Sequence, residues 1–226
     1  MHELTFADAD PAAVAEQLDG GSIHLWRVPY ARSQGRAPLL ELLAAYLGTA
    51  ASEVALRLGP HGKPGLAGRQ SRRRQARELE FNWSHSGDNA LVALARGRPV
   101  GVDIERLGRG MRALELARRF FDPAEGDALE TLAMSERDSA FTGLWCAKEA
   151  VLKAAGEGLS FGLARLVFAP HPRRGWKLDR LDPALGGGNE WQIIGFDPAP
   201  GYRGALAWRG PAPRIFAFRP RPSAGG

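Results

Sequence analysis

The sequence predicts an α+β fold in which the strands pair mostly antiparallel. Strand-like apolar segments occur in runs in both halves of the chain, and helical segments are interspersed among them. A length of 226 residues, with 44% hydrophobic and 24% charged residues, suits one large domain or two halves of about 100 residues.

The first half is predicted to contain one helix and several strands. The helix begins at Pro38, because proline is favoured in the first turn, and ends before Gly48, which suits a C-terminal cap. Its leucines recur at a spacing that places them on one face. Strands are predicted over residues 23–28, 80–86, 91–95 and 100–105, and the last two are expected to form a hairpin joined by residues 96–99.

The second half is predicted to contain helices followed by strands. One helix covers residues 111–120, and Asp122 caps another. Ser135 and Asp138 resemble a capping box at the start of a long helix, which Gly156 ends. Strands are predicted over residues 165–169, 190–196, 202–208 and 214–218, and residues 220–226 are expected to form a frayed tail.

The composition excludes several classes of protein. The single cysteine, Cys146, excludes an internal disulfide framework, and no cysteine and histidine residues have the spacing of a zinc site. Cys146 is expected to be a small buried hydrophobic residue of the long helix. With neither a signal sequence nor an apolar run of about 18 residues, we expect a soluble, cytoplasmic protein without a membrane partner.

The net charge of +5 favours anionic partners. The densest basic run covers residues 69–77 and makes nucleic acid an alternative partner. This run has no interleaved aromatic residues and matches no standard nucleic-acid-binding module. We therefore expect a solvated loop there and no nucleic-acid partner.

Three carboxylates and a lysine are candidates for a metal-assisted site. Asp103 and Glu105 alternate with apolar residues, so both project from one face of a strand, about 7 Å apart. Glu149 and Lys153 are four residues apart, with Trp145 on the same stripe of the long helix. A solvated sheet face and a surface ion pair are the simpler alternatives, but the apolar neighbours favour a partly buried site. Such a group can hold Mg²⁺ near substrate phosphates.

Five motifs stand in an order known from one protein family: HGKP at 61–64, FNWSHS at 81–86, GVDIE at 101–105, RFF at 119–121 and WCAKEAVLK at 145–153. Through these motifs the chain resembles the Sfp-like 4′-phosphopantetheinyl transferases. The similarity continues into GEGLS at 156–160 and spans residues 24–208. Each motif is weak alone, but five in order make coincidence an unsatisfactory explanation.

The resemblance implies a monomer built as a pseudo-dimer of two similar α+β halves, residues 1–106 and 107–226. Each half would have an antiparallel sheet packed on helices, with coenzyme A between the halves. The implied reaction transfers 4′-phosphopantetheine from coenzyme A to a serine of an acidic acyl or peptidyl carrier protein, releasing adenosine 3′,5′-bisphosphate. A non-catalytic module that binds coenzyme A or a nucleotide is the alternative, although it would have little need of the whole set of carboxylates and lysine.

Carried over residue by residue, the resemblance makes Asp103, Glu105 and Glu149 ligands of Mg²⁺. Glu149 is also the candidate base for the serine proton, directly or through water, and the alternative is that it is only a ligand. Lys153 would hold the phosphate under attack. Glu125, at the start of its helix, is expected to interact with the helix dipole rather than with the metal.

The same resemblance assigns contacts with coenzyme A to Lys63, Ser84, His85 and Arg36. The basic segment before the first helix, residues 28–36, is shorter than in many family members. Residues 65–79 instead carry additional arginines. Our hypothesis is that Arg72, Arg73 and Arg74 engage the carrier protein or the 3′-phosphate of coenzyme A.

Overall fold

The computed structural model describes residues 3–67, 78–108, 112–172 and 175–221. The helices in these ranges are α1 (Pro11–Ala15), α2 (Ala37–Leu47), α3 (Ala113–Phe120), α4 (Pro123–Glu130) and α5 (Met134–Ala155). The strands of the first half are β1 (Ala7–Ala9), β2 (Ser22–Pro29), β3 (Leu56–Leu58), β4 (Pro64–Leu66), β5 (Leu79–Ser86), β6 (Asn89–Arg96) and β7 (Val100–Arg106). Those of the second half are β8 (Leu166–His171), β9 (Gly175–Leu181), β10 (Trp191–Phe196), β11 (Tyr202–Arg209) and β12 (Arg214–Pro220).

Two main sheets organise the molecule, and the fold is α+β as predicted. The first has the strand order β1-β12-β2-β6-β5 and the second has the order β10-β11-β7. The pairs β3–β4 and β8–β9 form two small sheets. Pairing is antiparallel except that β12 lies parallel to β1 and β2. Because β12 joins the first sheet and β7 the second, each main sheet contains a strand from the other side of the predicted division at residue 106.

The main sheets face each other and lie between two helices. Ile23 and Leu91 of the first sheet share a buried cluster with Val102, Ile104 and Leu206 of the second. Helix α2 covers the outer face of the first sheet, and α5 covers the outer face of the second. The apolar residues of β7 face the first sheet. Because side chains alternate along a strand, the residues between them face α5.

Strands β6 and β7 do not form the predicted hairpin. Both edges of β6 are already paired, one with β2 and the other with β5, so β6 has no edge for β7. Strand β7 pairs with β11 and passes beside β5, where the side-chain oxygen of Asn82 accepts a hydrogen bond from the backbone N–H of Val102 at 2.8 Å. The two sheets thus come together at the β5–β7 edge.

Both ends of α2 lie where the sequence predicts them, whereas the predicted cap of α5 differs from the structure. Pro38 lies in the first turn of α2, and Gly48 caps its end with a positive φ of 61°. The predicted capping box of α5 is wrong, because the N-cap residue is Ala133 and no side chain caps it. Ser135 lies inside the first turn, and the carboxylate of Asp138 instead accepts from the N–H of Gly108 at 3.4 Å. The polar pair therefore marks the first turns of the helix rather than its cap.

Some predictions fall on residues that the structure does not describe. Residue 111, at the predicted start of α3, lies outside the described ranges. So do residues 68–77, which include the whole basic run and the three arginines of the carrier-protein hypothesis, Arg72, Arg73 and Arg74. None of the described helices is both long enough and apolar enough to cross a membrane.

Candidate active site

Helix α5 and strand β7 approach each other closely at Gly101. A Cβ atom at Gly101 would lie 2.0 Å from the carbonyl oxygen of Ala150 and 2.4 Å from the backbone nitrogen of Ala154. No side chain fits in that space. Glu149 and Lys153 are the neighbours of these contact residues, and this backbone contact brings them to the face of β7 that carries Asp103.

Asp103, Lys153 and Ser84 form a compact hydrogen-bonded group. The Asp103 side chain is only 4% exposed, and its Oδ1 lies 2.6 Å from Nζ of Lys153. The Ser84 hydroxyl donates to the same Oδ1 at 2.7 Å, while Lys153 donates to the Ser84 oxygen at 3.0 Å. Burial disfavours the charged form of Lys153, but the charges of Asp103 and Glu149 outweigh it and raise the lysine pKa. The ammonium group therefore stays charged.

The carboxyl group of Glu149 has a raised pKa. Burial, and then the negative charges of Asp103 and Glu105, raise the pKa of Glu149 to about 7, although Lys153 acts in the opposite direction. Its Oε1 is buried and has no hydrogen-bond partner among the described residues, as is also true of Oδ2 of Asp103. A buried acceptor without a donor costs about 1–3 kcal/mol. In the part of the chain that the structure describes, neither oxygen has a hydrogen-bond donor, although the ammonium group of Lys153 lies beside Asp103.

Glu105 is held by the neighbouring edge strand. The Ser86 hydroxyl donates to Oε2 of Glu105 at 2.8 Å, and its oxygen accepts from the backbone N–H of Arg106 at 3.0 Å. Asn82, Ser84 and Ser86 alternate along β5, so all of them project toward β7. The sequence analysis assigned no role to Asn82 or Ser86, although this period-two run of polar residues was the signal that could have identified them.

The donor set fits a hard divalent cation only in part. Carboxylate oxygens are the ligands that Mg²⁺ prefers, and the unpartnered oxygens of Asp103 and Glu149 are available for that role. Within the described ranges, no three acidic, histidine or cysteine side chains are close enough to enclose an ion as they stand. Lys153 occupies one oxygen of Asp103, and Ser86 occupies one oxygen of Glu105.

The residues assigned to coenzyme A are placed unequally around this group. Lys63 lies beside the C-terminal end of α5, where its Nζ donates to the carbonyl of Ala154 at 3.5 Å, one residue beyond Lys153. Burial lowers the pKa of Lys63, against the effect of the Glu80 carboxylate. Ser84 is inside the group itself.

His85 and Arg36 lie farther out. His85 is exposed and projects from the opposite face of β5 to Ser84, where its ring stacks on Tyr30 with centroids 4.3 Å apart. The Trp83 ring lies 5.1 Å from the His85 ring and completes an aromatic cluster. Arg36 is exposed and precedes the first residue of α2.

Other predicted residues have structural positions. Cys146 is fully buried, and burial raises the pKa of its thiol, as a small core residue requires. Trp145 packs near the rings of Phe121 and Phe141. Glu125 lies in the first turn of its helix, where an interaction with the helix dipole was predicted, and it accepts from the N–H of Asp122 at 3.0 Å. It is also buried in an ion pair that was not predicted from the sequence.

Residues 99–202 match the family model of the 4′-phosphopantetheinyl transferase superfamily. A Synechocystis sp. protein with the provisional name 4′-phosphopantetheinyl transferase is 35% identical over 158 residues, which cover 70% of this chain and 61% of that protein. The 4′-phosphopantetheinyl transferase HetI of Nostoc sp. is 36% identical over 126 residues, covering 56% of this chain and 52% of HetI. The chain thus spans about half to three-fifths of the length of these relatives.

Among solved structures, the Chronobacterium ammoniagenes ACPS–CoA complex aligns with a TM-score of 0.36 at 22% identity, covering 50% of this chain and 98% of that chain. The segment matched by the family model contains the whole α5–β7 contact and the carboxylates and lysine gathered there. This segment is therefore similar to the 4′-phosphopantetheinyl transferase superfamily, and the relatives of similar sequence bear the name of that enzyme.

Proposed function

We propose that this protein transfers the 4′-phosphopantetheine group of coenzyme A to a serine hydroxyl of an acyl or peptidyl carrier protein, in a Mg²⁺-dependent reaction. The observation that carries the proposal is the buried, unpartnered carboxylate oxygen of Glu149 beside Asp103 and Lys153. Buried titratable groups with strongly perturbed pKa values are typical of catalytic sites. The match of residues 99–202 to the 4′-phosphopantetheinyl transferase superfamily supports the same reaction.

Glu149 would accept the proton of the attacking serine. Its pKa of about 7 suits a general base at neutral pH. The serine oxygen forms a bond with the β-phosphorus of coenzyme A, and the bond from that phosphorus to the bridging oxygen breaks. The pyrophosphate linkage is thereby cleaved, and adenosine 3′,5′-bisphosphate leaves with that oxygen.

Lys153 and Lys63 would bind the negative charge of the pyrophosphate. Lys153 keeps its proton because of Asp103, and Ser84 fixes the position of its Nζ. Asp103, Glu105 and Glu149 would hold Mg²⁺, which would offset the charge that develops on the phosphate oxygens. The aromatic cluster of Tyr30, Trp83 and His85 would receive the nucleotide end of coenzyme A, with Arg36 as a further cation nearby.

Both sides of the proposed site come from one chain. Strand β7 supplies Asp103 and Glu105, strand β5 supplies Ser84, and helix α5 supplies Glu149 and Lys153. No residue of a second copy is needed to complete the hydrogen-bonded group. We therefore propose that the monomer is the active unit.

Intact mass spectrometry of an apo carrier protein tests this function. The carrier is incubated with the protein, coenzyme A and Mg²⁺, and the expected product carries one added phosphopantetheine group. EDTA and the Glu149→Gln variant should each abolish the addition. Glu136→Gln is the matched control, because Glu136 is an exposed residue in the first turn of the same helix. No addition to carriers from several pathways, despite measurable coenzyme A binding, would favour the non-catalytic module.

A further inference from the structure

Lys148 of α5 and Glu125 of α4 form a second ion pair, on a side of α5 different from that of Glu149. Lys148 and Glu125 are both 0% exposed, and Nζ of Lys148 lies 2.7 Å from Oε2 of Glu125. Lys148 precedes Glu149, so the two side chains are about 100° apart around the helix axis. The buried ion pair and the proposed active site are therefore attached to the same turn of α5.

The ammonium group of Lys148 has an acceptor for each of its three protons. Besides Glu125, it donates to the carbonyl oxygens of Leu163, at 2.9 Å, and of Leu166. Oε1 of Glu125 accepts from the backbone N–H of Phe168 at 2.8 Å. The pair thus ties α5 to α4 and to the segment that leads into β8. The rings of Phe121 and Phe168 border the ammonium group and exclude water.

Like charges oppose the contact of α5 with β7 on the other side of the helix. Glu149 meets the negative charges of Asp103 and Glu105, whereas Lys153 forms an ion pair with Asp103. Like charges at short range push a helix and a strand apart. A fixed attachment elsewhere on α5 would add to the Lys153–Asp103 pair and to the packing at Gly101 in opposing that repulsion.

We propose that the buried Lys148–Glu125 pair is a positioning pair that holds α5 at the rotation where Glu149 and Lys153 face Asp103. Its directional hydrogen bonds to two carbonyls and a carboxylate define one rotation of the helix, whereas apolar contacts alone would tolerate several. The inference builds on the proposed function only for its catalytic consequence. The rotation of α5 is a property of the folded protein and is measurable without substrate.

The double variant Glu125→Gln/Lys148→Met separates positioning from stability. Removing one partner leaves a buried charge unpaired, but removing both charges together is often nearly neutral for stability. The natural reporter is Cys146, the single cysteine of the chain, which is fully buried between α5 and the second sheet. We expect its reaction with the thiol reagent DTNB, under native conditions, to be about tenfold faster in the folded double variant. We also expect kcat for transfer and the affinity for Mg²⁺ to fall about tenfold, as for other residues that orient a metal ligand.

Tyr46→Phe is the control for general loss of stability. Tyr46 accepts from Trp26 and contacts His24 in the core of the first half, away from α5. This variant should lower the melting temperature without changing the reactivity of Cys146 or kcat. If the double variant does not fold, Glu125→Asp keeps the charge, shortens the side chain and should shift the same readouts less strongly in the same direction.

Wild-type thiol reactivity in the folded double variant, or in Glu125→Asp if only that variant folds, would overturn the inference. Wild-type kcat and Mg²⁺ affinity in that variant would overturn it as well. If the wild-type protein itself shows no transfer, the proposed function fails, whereas the rate of thiol labelling still decides whether the pair positions α5.

Discussion

At the scale of single residues, the candidate site brings carboxylates together around one lysine, and burial with their mutual repulsion raises the pKa of Glu149. The sequence places Asp103, Glu105 and Glu149 at informative spacings, but spacing does not reveal burial. The structure adds the observation that one oxygen of Glu149 and one of Asp103 are buried without hydrogen-bond partners among the described residues. That observation gives the metal proposal a physical basis that the motifs alone did not provide.

The affinity for Mg²⁺ should depend on pH through Glu149. Below about pH 7 this carboxyl group is protonated, because its pKa is raised to about 7 by burial and by the charge of Asp103. A metal ligand must be deprotonated, so binding at pH 6 should release close to one proton, and affinity should rise about tenfold per pH unit up to pH 7. Isothermal titration calorimetry in buffers of different ionisation enthalpy measures that proton. The Glu149→Gln variant should show no such release, and equal release in both proteins would contradict the assignment.

Ser86 should influence the metal site through Glu105. Ser86→Ala removes the hydroxyl that donates to Oε2 of Glu105 and accepts from the N–H of Arg106. Loss of a group that orients a metal ligand typically costs about 10–100-fold in metal affinity. We expect the Mg²⁺ concentration for half-maximal transfer to rise by at least the lower of these factors. Ser160→Ala, at an exposed position after α5, is the control, and identical Mg²⁺ dependence in both variants would refute a role for Ser86.

At the scale of helices and strands, local patterns identified most elements but not their neighbours. The helix from Pro38 to Gly48 was predicted almost to the residue, since its start and end are set by local chemistry. The β6–β7 hairpin was wrong because alternation shows that a segment is a strand without showing which edge is free. Edge availability depends on β2, which is more than 60 residues away in sequence from β6. The ion pair of Lys148 with Glu125 was missed for the same reason, since charge and helical spacing do not show that both side chains are buried.

The contact of α5 with β7 makes Gly101 a sensitive position. Gly101→Ala would place a methyl group 2.0 Å from the Ala150 carbonyl oxygen, so the helix must move away from the strand. Overpacking of this kind costs about 1–3 kcal/mol. Because the displaced segment carries Glu149 and Lys153, the variant should lose transfer activity even at temperatures where it remains folded.

Circular dichroism melting and initial transfer rates, measured on the same preparation, check this expectation. Gly65→Ala is the matched control, because a Cβ atom there meets nothing within 4 Å and Gly65 also lies in a strand. A Gly101→Ala protein with the melting temperature and rate of the control would show that the close approach of α5 is unimportant.

At the scale of the whole molecule, the two sheets depend on strands from both ends of the chain. Strand β12, which begins at Arg214, lies between β1 and β2 in the first sheet. The sequence identified residues 214–218 as a strand, but a parallel pairing with segments about 190 residues earlier leaves no local signature. The pattern of strand and helix segments predicted the general α+β architecture, whereas the exchange of β7 and β12 between the sheets came only from the structure.

His24 connects three of these distant elements in the core of the first half. Nδ1 of the His24 ring, on β2, lies 2.6 Å from the hydroxyl oxygen of Tyr46 on α2. The same ring contacts the rings of Phe216 and Phe218 on β12. The side chain is 0% exposed, and burial lowers the pKa of His24 from 6.5 to about 4. Folding therefore requires the neutral imidazole.

Stability should consequently fall in acid through His24. Between pH 6.5 and about 4 the unfolded chain binds a proton at this residue and the folded protein does not, so the free energy of unfolding rises with pH over that window. The stability present above pH 6.5 is lost as the pH falls toward 4, and the loss amounts to about 3 kcal/mol. Urea denaturation at intervals between pH 4 and 8 measures it. Carboxylates and the exposed histidines titrate equally in His24→Gln, so the difference between the two curves isolates His24; parallel curves would show that this ring is not held neutral by the fold.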